Sequence, residues 1–530
     1  MVGPAWQRCL GLVAVCAVVS GAEAAPPVDT AAVKWDTVHR TANTAASVLV
    51  AADPEWLEGG VMYQAAIAGV AGLAEAGAEN IRLLNFNIFP ALSCGQLTPG
   101  NWNWTLPDQV MKSFMDAVKG QSVLIDIDTS PHWMWADGQY NDTHTCALAH
   151  DFELAVGERT RCPNYGNPQV PRDKSWKEIA TYFKQVADHY TAGGFVDDDG
   201  VAHTDGHHYD WSNSYWEILN EPNLLREHML SPQAIVDYYD ANVAAFGGSA
   251  PGGAKFLGPS LCCISHNTTG LDDYLRPFLD PQNHHPSDTP LAGASFHIYA
   301  ACANNTPPGM EQVFTATDRE IVSLIEADKI RREVRPDAEL HLTESGIVCN
   351  QPHGVCGEND YECWYRSFVP LYWVASAGQW LYQFLTYSAA IDLATISQSQ
   401  ILGYPWQYDG LSGEWASGSM VDFTGTPGLN AKYYVEELLL QNVKRPFSYV
   451  DTTVPNPERV YAQGLTSAKG RVVVLINKKC TPSTAVIDGV AGKTAYWIEA
   501  ANWRSPPTKK VVPTGPIDLT PFAVVLIQVS

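Results

Sequence analysis

The chain has 530 residues, more than one ordinary hydrophobic core supports, which predicts one large domain with a smaller companion. With 46% hydrophobic and 17% charged residues it can bury substantial cores and is not disordered overall. Its 33 basic against 57 acidic residues, a formal charge of −24, exclude a nucleic-acid partner, whose affinity rests on Lys and Arg at phosphates, and disfavour a strongly anionic polymer as substrate.

At the N-terminus, Arg8 precedes the apolar run 9–20, and Ala22 and Ala24 flank Glu23 with the small residues a signal peptidase reads. Residues 1–24 therefore read as a secretory leader. The run is too short to cross a bilayer, and no later stretch of about 18 apolar residues follows, so the expectation is a secreted, extracellular protein without a membrane span. Twelve cysteines less the two in the leader leave an even number, which in an oxidising compartment predicts disulfides of unspecified pairing. Cys349, His353, Cys356 and Cys363 could also be drawn as a zinc site, but their wide, irregular spacing favours disulfides. Sequons at Asn103, Asn141, Asn267 and Asn304 predict a glycosylated exterior.

From about residue 45 to 440, strand-like runs alternate with amphipathic helical stretches. The strand candidates are 47–51, 80–86, 122–128, 214–219, 254–258, 293–299, 339–343 and 379–387. Between them, Trp176, Ile179, Ala180, Phe183, Val186, Ala187 and Tyr190 follow helical spacing. Ser175 with Glu178 and Thr317 with Glu320 read as capping boxes, and Ser231-Pro232 as a cap before a first-turn proline. Eight strands each followed by a helix is the count of a closed (β/α)8 TIM barrel. An open doubly wound sheet is the alternative, but the first strand-to-helix turn lacks its glycine fingerprint. After about residue 441 the texture changes to β-branched segments at 459–463, 471–476, 494–498 and 522–529, separated by Gly, Pro, Asn and Lys. The predicted class is α/β, with a barrel over 25–440 and a C-terminal antiparallel β-sandwich over 441–530.

In such a barrel, chemistry belongs at the C-terminal ends of strands. Two ends carry a carboxylate: Tyr215-Trp216-Glu217-Ile218-Leu219-Asn220-Glu221-Pro222 on strand four and Glu339-Leu340-His341-Leu342-Thr343-Glu344-Ser345-Gly346 on strand seven. Convergent carboxyls are what glycosidic cleavage needs, one holding a proton for the leaving oxygen and the other attacking the anomeric carbon. Pro222 disfavours helical geometry at Glu221, and the Asn220 amide suits a sugar hydroxyl. For a retaining mechanism the two carboxyls should stand about 5–5.5 Å apart.

These motifs resemble those of clan A, the retaining (β/α)8 glycoside hydrolases, nearest in layout to family 39 (the β-xylosidase and α-L-iduronidase relatives), with families 30 and 79 also open. The resemblance implies Glu221 as acid/base, Glu344 as nucleophile and Asn220 as partner of the sugar 2-hydroxyl. Ser295-Phe296-His297-Ile298-Tyr299 is similar to the clan's His-x-Tyr, which implies Tyr299 bonded to the nucleophile and His297 near the acid/base. Arg82 resembles the arginine that braces the nucleophile, with Asn85 and Asn87 as rivals, and Trp380 on strand eight is the aromatic expected beneath the sugar. His132, following strand three, is a further expected substrate contact, and Trp133, Trp135, Trp406 and Trp415 are candidate subsite aromatics. The implied reaction is hydrolysis of an oligosaccharide or polysaccharide by double displacement, without metal or organic cofactor. A transglycosylase and a non-catalytic carbohydrate-binding barrel stand as alternatives. Sugar, linkage, mode of attack and oligomeric state are not legible in the sequence.

Overall fold

The computed structural model describes residues 28–51, 63–84, 100, 102–128, 130–131, 134–135, 170–223, 230–262, 271–302, 307–349, 361–401, 419–422 and 426–530. The leader, the side chains of the Cys349, His353, Cys356 and Cys363 cluster and the sequons at Asn141, Asn267 and Asn304 lie outside the described residues, while Asn103 is exposed.

Eight parallel strands close into a barrel: Ala45–Ala51, Ile81–Leu84, Val123–Ile127, Tyr215–Ile218, Lys255–Leu261, Gly293–Cys302, Glu339–Cys349 and Thr395–Gln398. They pair in chain order, and the eighth returns to the first through Thr395 opposite Ala45. Alternation decides which residues face the site. On strand three Val123, Ile125 and Ile127 join the core outside the barrel, as Phe296 and Ile298 do on strand six. The intervening positions, Asp126 and then Ser295, His297 and Tyr299, fall on the opposite, inner face. The barrel therefore has an apolar outer layer beneath its helices and a polar upper interior.

The helix Lys177–Thr191 buries Ile179, Ala180, Phe183, Val186, Ala187 and Tyr190 on the stripe that the sequence spacing predicts. Ser231 caps Pro232–Ala245 by accepting from the Ala234 amide at 3.2 Å. The other two expected caps differ. Asp173, not Ser175, accepts from the Glu178 amide. Thr317 lies within Gln312–Val334 and donates to the Val313 carbonyl.

The eighth strand is Thr395–Gln398, not 379–387, which lies in the helix Tyr361–Ala390. The physical reason is that this helix is clamped on two sides and so is apolar nearly all round. Gln383 reaches the Ile298 carbonyl of barrel strand six at 3.4 Å, while Phe384 stacks on Phe447 of the second sheet at 6.0 Å. Such a run carries no periodicity that separates helix from buried strand. The true strand, Thr-Ile-Ser-Gln, is short and polar. Trp380 is consequently a fully buried helix residue packed on Phe384, far from the role of sugar platform.

The second domain is a nine-stranded sheet that folds over on itself. Its central connector is Val28–Ala42, expected within the barrel region but here antiparallel to Phe447–Thr453 and parallel to Ser483–Ile487. Register shifts between Lys34 and Arg40 let this long strand serve both halves. Residues 28–42 therefore belong with the sheet domain. One interior is built from Val473, Leu475, Ala485, Ile487, Ile517, Leu519, Val525 and Ile527. The alternate residues of the same strands, Val472, Val474, Ile476, Val524 and Leu526, join the barrel's core. The sheet is thus buried on both faces, the outer one against Tyr361–Ala390.

Gly378 marks a close approach of helix and sheet. A Cβ there would meet Ile476 Cγ2 at 3.3 Å and Val524 Cγ2 at 3.5 Å. Gly378→Leu should force the two apart and cost about 1–3 kcal/mol through overpacking. The check is a lowered melting temperature and urea midpoint relative to the parent.

Candidate active site

The barrel interior is layered. At its base Leu124, Tyr215 and Leu257 form an apolar plug, and Tyr215 Oη donates to Glu339 Oε2 at 2.8 Å. Above it lie Arg82, Asp126 and Glu217, all fully buried. Asp126 and Glu217 are direct register partners on strands three and four, so both project from the inner face at one height. Arg82, on strand two, answers them with every nitrogen. Nε donates to Glu217 Oε2 at 2.6 Å and Nη1 to Glu344 Oε1 at 2.6 Å. Nη2 reaches Asn220 Oδ1 at 2.8 Å, Ser260 Oγ at 3.0 Å and Asp126 Oδ2 at 3.2 Å. Burial alone would depress this guanidinium, but Glu217, Asp126 and Glu344 together outweigh it and raise its pKa. One cation among three carboxylates leaves an anionic excess. Burial holds the Asp126 carboxyl well above the usual carboxylate range, the neighbouring Glu217 adds to that and Arg82 offsets it only in part.

The upper layer carries Glu221 and Glu344. Strand four ends at Ile218, and Leu219 and Glu221 take positive φ angles of 76° and 47°. Strained turns of this kind persist only where neighbours fix them, and here the Leu219 amide bonds to the Ile127 carbonyl and the Glu221 amide to that of Ser260. On strand seven the register slips between Leu342 and Glu344, so Glu344 stands opposite His297 with Thr343 as the extra residue. A bulge of this type re-aims a side chain at a barrel rim.

His297 is fully buried, with Nδ1 at 2.7 Å from Glu221 Oε1 and 3.6 Å from Glu344 Oε2. Burial pushes its imidazole down to about 4, against a partial lift from Glu344, so it is neutral at ordinary pH. Tyr299 Oη donates to Glu344 Oε2. Burial first, then the charge of Glu344, pushes that phenol well up, so it keeps its proton for the carboxylate. Ligand-type atoms of Glu221, His297 and Glu344 all lie within 4.8 Å of one another. This is the one His/Cys/Asp/Glu cluster of metal-binding dimensions among the described residues. Both imidazole nitrogens are engaged by Ser260 and Glu221, and the Arg82 guanidinium already occupies Glu344. The constellation is therefore suited to moving protons, since a cation would have to displace a guanidinium.

Just past strand eight, Ser399 Oγ lies 3.0 Å from Tyr299 Oη, and its carbonyl accepts from Lys432 Nζ. Lys432 is buried, and burial pulls its ammonium down to about 7 with only partial support from Glu436. Glu436 in turn accepts from Gln398 Nε2 at 2.8 Å.

The structure brings Arg82, Asn220, Glu221, His297, Tyr299 and Glu344 into one constellation. His132 lies outside the described residues, as do Trp133, Trp406 and Trp415. Trp135 is buried and donates to Ser130 Oγ at 3.0 Å, a packing role instead of an exposed aromatic face. His207 and His208 are exposed, whereas His284 is buried between Asp240 and the Phe278 carbonyl. Four residues escaped sequence reasoning: Asp126, Glu217, Ser260 and Ser399. The first two carry a usable signal, an acid in mid-strand at inward parity. A serine carries none.

No protein-family model and no curated protein matches this sequence. Solved structures do. A monomeric beta-xylosidase from Caulobacter crescentus superposes with a TM-score of 0.55 at 12% identity, covering 94% of this chain and 99% of that one. A GH51 arabinofuranosidase from Xanthomonas axonopodis pv. citri gives 0.55 at 12% identity, covering 95% and 99%. A conserved exported protein from Bacteroides fragilis gives 0.57 at 11% identity, covering 94% and 99%. At these identities the likeness is one of fold, extending over both the barrel and its sheet domain.

Removing the central cation should be severe. Arg82→Met leaves buried carboxylates uncompensated and should destabilise by about 3–5 kcal/mol, read as a lowered denaturant midpoint. His297 sets a pH dependence. Its folded pKa of about 4 lies below an unfolded value of about 6.5, so the unfolded chain binds the extra proton and stability falls as pH drops through that window. The loss is on the order of 3 kcal/mol, and His297→Gln should flatten that part of the profile in thermal melts from pH 7 to 4.

Proposed function

We propose that this protein is a retaining glycoside hydrolase of clan A. The observation that carries the reading is the approach of Glu221, just past strand four, and Glu344, on strand seven, to within 4.8 Å across the barrel mouth, each with a different partner set. This spacing suits the shorter, retaining separation and leaves too little room for the water that an inverting pair must hold between them. Arg82 and Tyr299 both donate to Glu344, one to each carboxyl oxygen, a setting suited to a nucleophile. Glu221 has the neutral His297 as its hydrogen-bond partner, an uncharged contact suited to an acid/base role.

In the first step Glu344 attacks the anomeric carbon, the glycosidic C–O bond breaks with its electron pair on the leaving oxygen, and Glu221 protonates that oxygen. In the second, Glu221 takes a proton from water, whose oxygen attacks the same carbon and releases Glu344. Asn220, fixed by Arg82, is positioned for the sugar 2-hydroxyl. The fold relatives named as a xylosidase and an arabinofuranosidase support a carbohydrate substrate. The leader-like N-terminus, with a fold relative described as exported, supports a secreted protein. Placement nearest family 39 rests on the motif order alone.

A panel of nitrophenyl glycosides and plant and fungal polysaccharides, with product anomers followed by proton NMR, tests the reading. Hydrolysis with net retention is expected. Glu344→Gln should abolish turnover, and Glu221→Gln should slow it by about 10²–10⁴-fold. An inverted product, or full activity of Glu344→Gln, overturns the assignment.

A further inference from the structure

Ser260, at the upper end of barrel strand five, is fully buried at the centre of the site. Its Oγ lies 2.6 Å from His297 Nε2 and 3.0 Å from Arg82 Nη2, with Asn220 Oδ1 and Thr343 Oγ1 both at 3.5 Å. Its own φ of 55° is the left-handed region, and its amide and carbonyl are held by Ser295 Oγ and the Glu221 amide at 2.9 Å each. The hydroxyl is therefore fixed in place by its backbone.

A guanidinium can only donate, so Ser260 Oγ accepts from Arg82 and has a single proton to give. The nearest acceptor is His297 Nε2. Asn220 Oδ1 is more distant and already takes a shorter bond from Arg82 at 2.8 Å. A hydroxyl donating to Nε2 requires that nitrogen to be bare, and a neutral imidazole then carries its proton on Nδ1. Burial keeps the imidazole neutral. Nδ1 is the nitrogen that faces Glu221 Oε1 at 2.7 Å.

We propose that Ser260 is a positioning residue that locks His297 in its Nδ1–H tautomer, so that His297 donates to Glu221 Oε1 and cannot draw the acid's proton onto itself. A bare Nδ1 would accept the Glu221 proton in a short internal hydrogen bond and withhold it from the leaving oxygen. With Nδ1 protonated, Oε1 is the accepting oxygen and the exchangeable proton resides on Oε2. The chain of donors runs in one direction, from Arg82 through Ser260 and His297 to Glu221, and links the cation of the nucleophile to the acid. The tautomer follows from the bond directions around Ser260 and the neutrality of the buried imidazole, while its catalytic consequence rests on the proposed role of Glu221.

The test is nitrogen NMR of the full chain labelled with 15N-histidine, with the His297 resonances assigned by their loss in His297→Asn. The expected result is a protonated Nδ1 and an unprotonated Nε2 in the parent. In Ser260→Ala the Nε2–H tautomer should become populated, and kcat on glycosides with poor leaving groups should fall about tenfold, the effect of one charge-linked hydrogen bond, with KM little changed. A parent carrying Nε2–H, or a tautomer unmoved by Ser260→Ala, overturns the proposal. A shifted tautomer with unchanged kcat overturns its catalytic half. A parent that cleaves no glycoside instead overturns the reading of Glu221, and the NMR of the parent still decides on Ser260.

Discussion

Everything in the barrel mouth is arranged around one guanidinium. Arg82 ties strand two to strands three, four, five and seven through Asp126, Glu217, Asn220, Ser260 and Glu344. Only a planar fork with five donors can do this, and a lysine ammonium could satisfy three of those directions at most. Taking the charges out of water is costly, and what offsets that cost is the number of short, charge-assisted bonds converging on a single group. The same arrangement creates the asymmetry between the two glutamates. One shares the cation and a phenol, while the other is served by a neutral imidazole. Two identical side chains whose ligand atoms lie within 4.8 Å are thereby given different partner sets by their surroundings.

The site also depends on parts that lie outside the ring of strands. Ser399, which touches Tyr299, is anchored by Lys432 and bonded through its amide to the Ser345 carbonyl. The neighbouring Gln398 is tied to Glu436 on the helix Ala431–Asn442. From the second sheet domain, Arg504 pairs with buried Asp422 at 2.9 Å, fastening the segment that follows strand eight. The sheet is therefore a brace for one side of the barrel mouth, with Tyr361–Ala390 as the beam between them.

What the sequence made legible follows from where local pattern and tertiary environment agree. Strands four and seven end in a carboxylate and strand six carries a motif resembling the clan's His-x-Tyr, so Asn220-Glu221, His297-x-Tyr299 and Glu344 could be named from the sequence. Arg82 could be named from its resemblance to the arginine that braces the nucleophile in clan A glycoside hydrolases. Strand eight was hidden because Thr395–Gln398 is polar while the preceding helix is buried on all sides, an environment that erases the helical period. Val28–Ala42 was hidden because its partners are distant in the chain, and pairing at that separation leaves no local trace. Ser260 and Ser399 act through position and direction, which composition does not encode.

The insertion of Val28–Ala42 into the far sheet has a consequence for biogenesis. Its hydrogen-bond partners include Ser448 and Asn456, separated by 407 and 427 positions along the polypeptide. A ribosome delivers that segment more than 400 positions before these mates, so through that interval the strand is an unsatisfied edge, open to pairing with other chains. The barrel can assemble behind it, but the strand is latched only when Phe447–Thr453 and Ser483–Ile487 emerge, as a clasp closes a necklace.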